Sequence, residues 1–344
     1  MSRIFPLLLL LVSAFACAPQ MMAVGDPVYD ARLDTTAAST VAVMADGATL
    51  PMLVFQAKEP RAVVVALHGF NDYSNAFSDP GPGPWFAARG ISLYAIDQRG
   101  FGRAPGQGLW AGDTRMAEDA ASVVRMVRGR HPDLPVYLLG ESMGGAVAMR
   151  AMTLPEPPEI DGLILSAPAV WGWRAMNDFY RIVLWASARL APSYTLTGRG
   201  LGIRPSDNIE MLRALGRDPL VIKGTRIDTI YGLVDLMDSA HAASARLGVP
   251  VLLLYGAKDE IVPAPPVGDA LTAMKEAEVD VAAICYPDGY HMLLRDLQRE
   301  TVWRDIAAWI AASGASPPSG DTDMKPCGAL AEALRPNETG SGAL

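Results

Sequence analysis

The chain has 344 residues, 50% of them hydrophobic and 19% charged, which excludes a disordered, collagen-like or coiled-coil protein and leaves room for two units or for one large domain carrying an insertion. Its formal net charge of −8, from 29 basic and 37 acidic residues with no basic stripe, argues against nucleic acid as a partner. Three scattered cysteines, Cys17, Cys285 and Cys327, are too few for a disulfide scaffold or a zinc cluster.

Residues 1–16 read as a signal peptide. Arg3 and the amino terminus give a weakly positive start, the apolar stretch from Ile4 to Val12 is far shorter than the ~20 residues of a spanning helix, and Ala14-Phe15-Ala16 fits a small-x-small cleavage site. Cys17 directly after that site opens a second reading, a lipidated first residue of a bacterial lipoprotein, although a lipobox would carry Leu where Ala14 stands. The chain is therefore expected to be exported, as a periplasmic protein or one anchored to a membrane through Cys17. Residues 17–40, rich in Ala, Thr and Ser, are expected to form a flexible lead-in.

Two apolar runs between Val41 and Phe55 flank Asp46-Gly47, which predicts a hairpin. Arg61 to Leu67 is a continuous β-branched run of the kind found in strands buried on both faces. Similar runs follow at Ile91–Ile96, Val136–Leu139, Gly162–Leu165, Val249–Tyr255 and Val279–Cys285. Helical spacing lies between them. From Asp113 to Arg130 the apolar positions Met116, Ala120, Val123, Val124 and Val127 share one face. Met143–Met152 and Thr301–Ala312 are also helical. Strands alternating with helices predict a mostly parallel α/β sheet, with a core over 41–170 and 248–312. The alternation breaks over 171–247, a Trp-, Arg- and Leu-rich stretch without a convincing strand run, which reads as an inserted helical cap. Residues 313–344, rich in Pro, Gly, Ser and Ala, are expected to be a disordered tail.

The strongest chemical signal is Gly140-Glu141-Ser142-Met143-Gly144, set between a strand and a small-residue helix. G-x-S-x-G in that context is a nucleophile elbow: the serine sits on a strained turn, and its neighbours two residues away on either side must lack bulk. His68-Gly69-Phe70-Asn71 ends the 61–67 strand, where the backbone N–H of Phe70 is expected to join that of Met143 as an oxyanion donor. Of four histidines, His68 is expected to shape this loop, His131 precedes Pro132 in a surface turn, and His241 falls on helical spacing near the end of the cap. His291 follows the last strand and is the expected base, because a free serine needs an imidazole to take its proton. Asp259, after the 249–255 strand, is the expected acid that orients the imidazole, with Glu260 as its competitor. Asp288 is too close to His291 in sequence to be preferred, and Asp235 and Asp238 fall in the cap. Asp97 to Gly102 reads as a structural loop and not as a dinucleotide fingerprint, because the full G-x-G-x-x-G spacing is absent. Cys285 lies in a core strand. A Cys285–Cys327 bridge would suit an exported protein but would require the tail to fold back.

Together the His68-Gly69-Phe70 loop, the Asp97-to-Gly102 loop, the elbow, Asp259 and Tyr290-His291 resemble the α/β-hydrolase superfamily. The similarity is to its monoacylglycerol lipase and lysophospholipase-like branch, grouped with serine aminopeptidase S33-like hydrolases. The resemblance covers residues 41–312. It departs at Glu141, where relatives often carry His, and at Gly100-Phe101-Gly102, where they often carry Gly-His-Gly. It implies an α/β-hydrolase fold, a mostly parallel central sheet with helices on both faces and an inserted cap. It also implies hydrolysis of carboxylic esters of acyl lipids through an acyl-Ser142, with no metal or organic cofactor. Trp171, Trp173, Phe179, Tyr180 and Trp185 crowd the start of the cap, where they either line an acyl pocket or pack the cap onto the core. Acyl transfer or peptide cleavage by the same three side chains, and non-catalytic lipid binding on a hydrolase scaffold, are the alternatives.

Overall fold

Val, Leu, Ile and Ala runs build the centre of the sheet in the computed structural model, which describes residues 19–23, 25–36, 39–198, 200, 202–312, 327, 328 and 330. The expected signal peptide and Cys17 lie outside these residues, as does most of the expected tail. The chain begins with three strands, β1 (Arg32–Thr35), β2 (Thr40–Val43) and β3 (Thr49–Phe55), of which β2 and β3 are the hairpin around Asp46-Gly47. It continues through β4 (Ala62–Leu67), α1 (Gly83–Ala87), β5 (Ile91–Ile96), α2 (Asp113–Arg130), β6 (Val136–Glu141), α3 (Met143–Ala151) and β7 (Gly162–Ser166). After the insertion come β10 (Val251–Gly256), α7 (Ala264–Glu276), β11 (Val281–Tyr286) and α8 (Arg299–Ala311).

The strand order is β1-β2-β3-β5-β4-β6-β7-β10-β11. The first three pairings are antiparallel, and every pairing from β5 to β11 is parallel. Alternation along each central strand explains the unbroken apolar runs. Val63, Val65 and Leu67 point to the face covered by α2 and α3, while Ala62, Val64 and Ala66 point to the face covered by α1 and α8. A strand with helices on both sides has no solvent face to pattern.

The insertion holds α4 (Asp178–Leu190), β8 (Thr195–Leu196), α5 (Ile209–Arg217), β9 (Thr225–Arg226) and α6 (Ile227–Ala243). Two findings correct the expected cap. β8 and β9 form a two-residue antiparallel ladder in a stretch read as free of strands. The helix α6 belongs to the core layer: Val234, Leu236, Met237, Ala240 and Ala243 are buried in the main core, and Gly232 abuts the Trp110 ring. The part rising above the sheet is therefore about 171–226, because the apolar face of α6 matches the small-residue surface of α3.

The lead-in and the tail are corrected as well. Residues 32–35 form a strand paired with β2, and Met22 N–H donates to the Trp110 carbonyl at 2.8 Å. The strand is mostly exposed and polar, so it carries no apolar signature. Within the expected tail, Cys327 is bonded to Cys285 of β11, with a Cα–Cα distance of 6.1 Å, and Cys327 and Leu330 are both buried in the core.

Candidate active site

β6 turns into α3 at Ser142, whose φ of 53° and ψ of −114° lie where a side chain costs on the order of 1–3 kcal/mol. Surrounding backbone holds it there. Its N–H donates to the Ser166 carbonyl at 2.9 Å, and its carbonyl accepts from Ala169 at 3.0 Å and Ala146 at 3.1 Å. A Cβ on Gly140 would strike the Gly144–Gly145 backbone, and one on Gly144 would strike the Leu67 carbonyl. The motif spacing is thus a steric requirement of the turn.

Phe70 lies beyond β4, beside the elbow. Among the described residues the backbone N–H groups of Phe70 and Met143 donate to no acceptor. His68 is fully buried beneath this loop: Nδ1 lies 2.8 Å from the Gly69 carbonyl and Nε2 accepts from Gln98 N–H at 3.0 Å. Burial pushes its pKa down, so a neutral imidazole protonated on Nδ1 satisfies both partners. His68 shapes the loop, as expected.

His291 sits on the turn after β11, with Nδ1 2.7 Å from Asp259 Oδ2. The Asp259 side chain is buried, and its Oδ1 accepts from the amides of Ile261 at 2.7 Å and Val262 at 2.9 Å. This fixes the carboxylate, puts the proton on Nδ1 and leaves Nε2 as a free base. Burial lowers the pKa of His291, but the carboxylates of Asp259, Glu141 and Asp296 outweigh it and the net shift is upward. Ser142 and His291 line one cavity without a mutual hydrogen bond, a geometry common in resting sites. The other candidates lie elsewhere. Glu260 is exposed and accepts from Arg204 N–H at 2.7 Å, Asp288 pairs with Lys258 at 2.6 Å, and Asp235 accepts from Trp173 Nε1 at 2.6 Å. His131 bonds Tyr94 at 2.8 Å, and His241 meets Arg174 at 2.9 Å. Arg99 is paired with Asp46 and Asp119, which makes the 97–102 loop structural.

The cavity measures about 260 Å³ and has apolar walls from Phe70, Pro205, Leu212, Leu215, Ile261 and Met292. None of the five cap aromatics lines it. Trp173 and Trp185 border a separate shallow cavity with Tyr231, and Phe179, Tyr180 and Trp185 are exposed on α4. Two leucines of α5 take the place expected for them, because it is α5 that lies over Ser142.

Two features were not visible in the motifs. Residues 204–208 form a strap bonded to the acid and histidine loops. Arg204 N–H reaches Glu260, Met292 N–H donates to the Pro205 carbonyl at 3.0 Å, and Ser206 Oγ donates to Asp296 at 2.6 Å. Leu297 N–H reaches Asp207 at 2.8 Å, and Asn208 Nδ2 reaches the Arg295 carbonyl at 2.9 Å. The second feature is a buried ion cluster at the cavity floor, in which Arg295 Nη2 lies 2.8 Å from Asp72 Oδ2 and 3.1 Å from Glu141 Oε2.

Residues 58–298 match the family model described as serine aminopeptidase, S33. A monoacylglycerol lipase of Mycolicibacterium smegmatis is 29% identical over 266 residues, spanning 74% of this chain and 89% of the relative. Phospholipase YtpA of Bacillus subtilis is 26% identical over 267 residues, spanning 75% and 98%. Among solved structures, the Paleococcus ferrophilus monoacylglycerol lipase superposes with a TM-score of 0.62 at 25% identity, covering 77% of this chain and 99% of its own.

Proposed function

The chain belongs to the serine aminopeptidase S33 family of α/β-hydrolases, and from that membership we propose that it hydrolyses carboxylic esters of acyl lipids, of the monoacylglycerol or lysophospholipid kind, through an acyl-Ser142. The observation that carries this reading is the convergence of strained Ser142 and Asp259-bonded His291 on one cavity with apolar walls. His291 Nε2 takes the Ser142 proton as Oγ attacks the ester carbonyl, and the amides of Phe70 and Met143 hold the oxyanion. The C–O bond to the alcohol breaks as His291 returns the proton to it. Water, deprotonated by His291, then attacks the acyl carbon; the C–Oγ bond breaks, His291 returns the proton to Ser142, and the carboxylic acid leaves. Asp259, bonded to Nδ1, keeps the imidazole aligned.

Lipid esters suit this site better than peptides. Recognition of a substrate amine needs a free anionic subsite, and the cavity carboxylates Asp72 and Glu141 are already engaged by Arg295. At about 260 Å³ the cavity falls below the ~300–1,000 Å³ of sites that enclose a drug-sized ligand. It takes the ester group with a short chain against Leu212 and Leu215 of α5. Export, with Cys17 as the candidate membrane tether, completes the proposal. The Cys285–Cys327 bridge supports export, since disulfides persist in oxidising compartments.

A fluorophosphonate probe is expected to label Ser142. Ser142→Ala is expected to lose both labelling and p-nitrophenyl butyrate hydrolysis while keeping its circular dichroism spectrum. Wild-type hydrolysis by a folded Ser142→Ala protein would refute the reading.

A further inference from the structure

Arg295 joins three loops that each carry one part of the proposed chemistry. Asp72 lies two residues after Phe70 on the oxyanion loop, Glu141 is the residue before Ser142, and Arg295 ends the turn that starts at His291. That turn is closed by Arg295 N–H to the Met292 carbonyl at 2.8 Å. All three side chains are nearly inaccessible, at 3% to 7% exposure. Among the described residues, Arg295 Nε and Glu141 Oε1 are buried without a partner. A buried, incompletely satisfied ion cluster is a poor device for stability, because well-packed apolar side chains of similar volume do as well or better. What such a cluster does supply is geometry: one guanidinium nitrogen, Nη2, sets the spacing between oxyanion loop and elbow, and its backbone sets the spacing of both to the histidine turn.

We propose that Arg295 is a positioning residue that locks the Phe70 loop, the Ser142 elbow and the His291 turn into one register through Asp72 and Glu141. This rests on the roles proposed above for Ser142 and His291. Glu141 then has a second effect. Glu141 lines the same cavity as His291, together with Asp72 and Arg295, and with Asp259 and Asp296 its carboxylate favours the imidazolium that forms as Ser142 attacks.

The test compares the full-length wild type with Arg295→Met, Arg295→Lys and Glu141→Gln on p-nitrophenyl butyrate, with rates expressed per site labelled by the fluorophosphonate. Arg295→Met is expected to lower kcat by about 10- to 100-fold with KM changed less than about threefold, as misplacement of reacting groups does. Arg295→Lys is expected to recover part of that loss, since a single nitrogen makes both ion pairs. Glu141→Gln is expected to move the acid limb of kcat/KM to lower pH, because it removes one carboxylate from the cavity and leaves the Arg295 cation balanced by Asp72 alone, with Asp259 and Asp296 still beside the imidazole. A merely structural role would lower Tm and leave kcat per labelled site and the pH limb in place. That outcome in Arg295→Lys and Glu141→Gln overturns the proposal even where Arg295→Met does not fold. A wild type that is not labelled at Ser142 overturns the hydrolase reading and this one together, whereas a labelled wild type with unaffected variants overturns this one alone.

Discussion

Asp259→Asn tests the site through the tautomer of one imidazole. Asp259 Oδ1 is held by two amide donors, Ile261 at 2.7 Å and Val262 at 2.9 Å, so an asparagine must place its carbonyl oxygen there. Its NH₂ group then takes the position of Oδ2, 2.7 Å from His291 Nδ1, and presents a donor where the imidazole N–H now donates. His291 relieves the clash by moving its proton to Nε2, where it can no longer accept one from Ser142. The equivalent exchange in serine proteases lowers kcat by about 10⁴-fold with geometry intact, which corresponds to about 5.4 kcal/mol of barrier at 1.36 kcal/mol per tenfold. The same loss is expected here on p-nitrophenyl butyrate, with a parallel fall in the rate of fluorophosphonate labelling and an unchanged circular dichroism spectrum. Glu260→Gln is the control. Its carboxylate is exposed and, among the described residues, accepts a hydrogen bond from Arg204 N–H, so its activity is expected within about twofold of wild type, as for ordinary surface changes. An Asp259→Asn enzyme within tenfold of wild type, or a Glu260→Gln enzyme with the large loss, would refute the assignment.

Three further outcomes follow from the same structure. Burial lowers the pKa of His291 but three facing carboxylates raise it more, so the acid limb of kcat/KM is expected above the 6.5 of a free imidazole, and a limb below that value counts against it. Burial pushes the Asp296 carboxyl up to about 6 from 3.8, despite donation from Ser206 Oγ and Tyr290 N–H. The folded state therefore holds this proton more tightly than the unfolded chain, and its contribution to stability falls as pH rises from 3.8 to about 6. Asp296→Asn is expected to gain stability over wild type across that interval, on the order of 3 kcal/mol by pH 7. Thermal melts at a series of pH values check it, and a Tm difference independent of pH refutes it. Cys327→Ala opens a crosslink across a sequence separation of 42 and is expected to cost about 4 kcal/mol in urea unfolding. An unchanged midpoint would show that the bridge does not constrain the chain.

The central sheet was legible because strands buried on both faces leave unbroken apolar runs, and α2 was bounded at Asp113 and Arg130 by its apolar stripe. The elements missed carry weaker or conflicting signals. β1 is polar and exposed, and Pro265 and Pro266 in the first turn of α7 hid a helix that the sequence reading did not name. α6 was assigned to the cap because its position in the chain, between two helices and a strand, says nothing about which layer it joins. The residues proposed for chemistry were readable one by one, since each follows a strand at a fixed place. The Arg295 cluster was not, because Glu141 and Arg295 lie 154 residues apart and no local pattern links them. Glu141 was noticed as a departure, but its partner is known only from the fold.

The strap at 204–208 sets a rule for re-engineering specificity in this scaffold. Lining side chains on α5, such as those of Leu212 and Leu215, border the cavity and hold none of the strap's bonds, so they can be exchanged one at a time. A chimera that grafts a foreign cap between β7 and α6 must retain Pro205, Ser206 and Asn208, or it severs the bonds that seat the segment from Tyr290 to Asp296. Substrate choice and base placement are thus written into the same short stretch of chain, and transplanting one without the other yields a folded but idle enzyme.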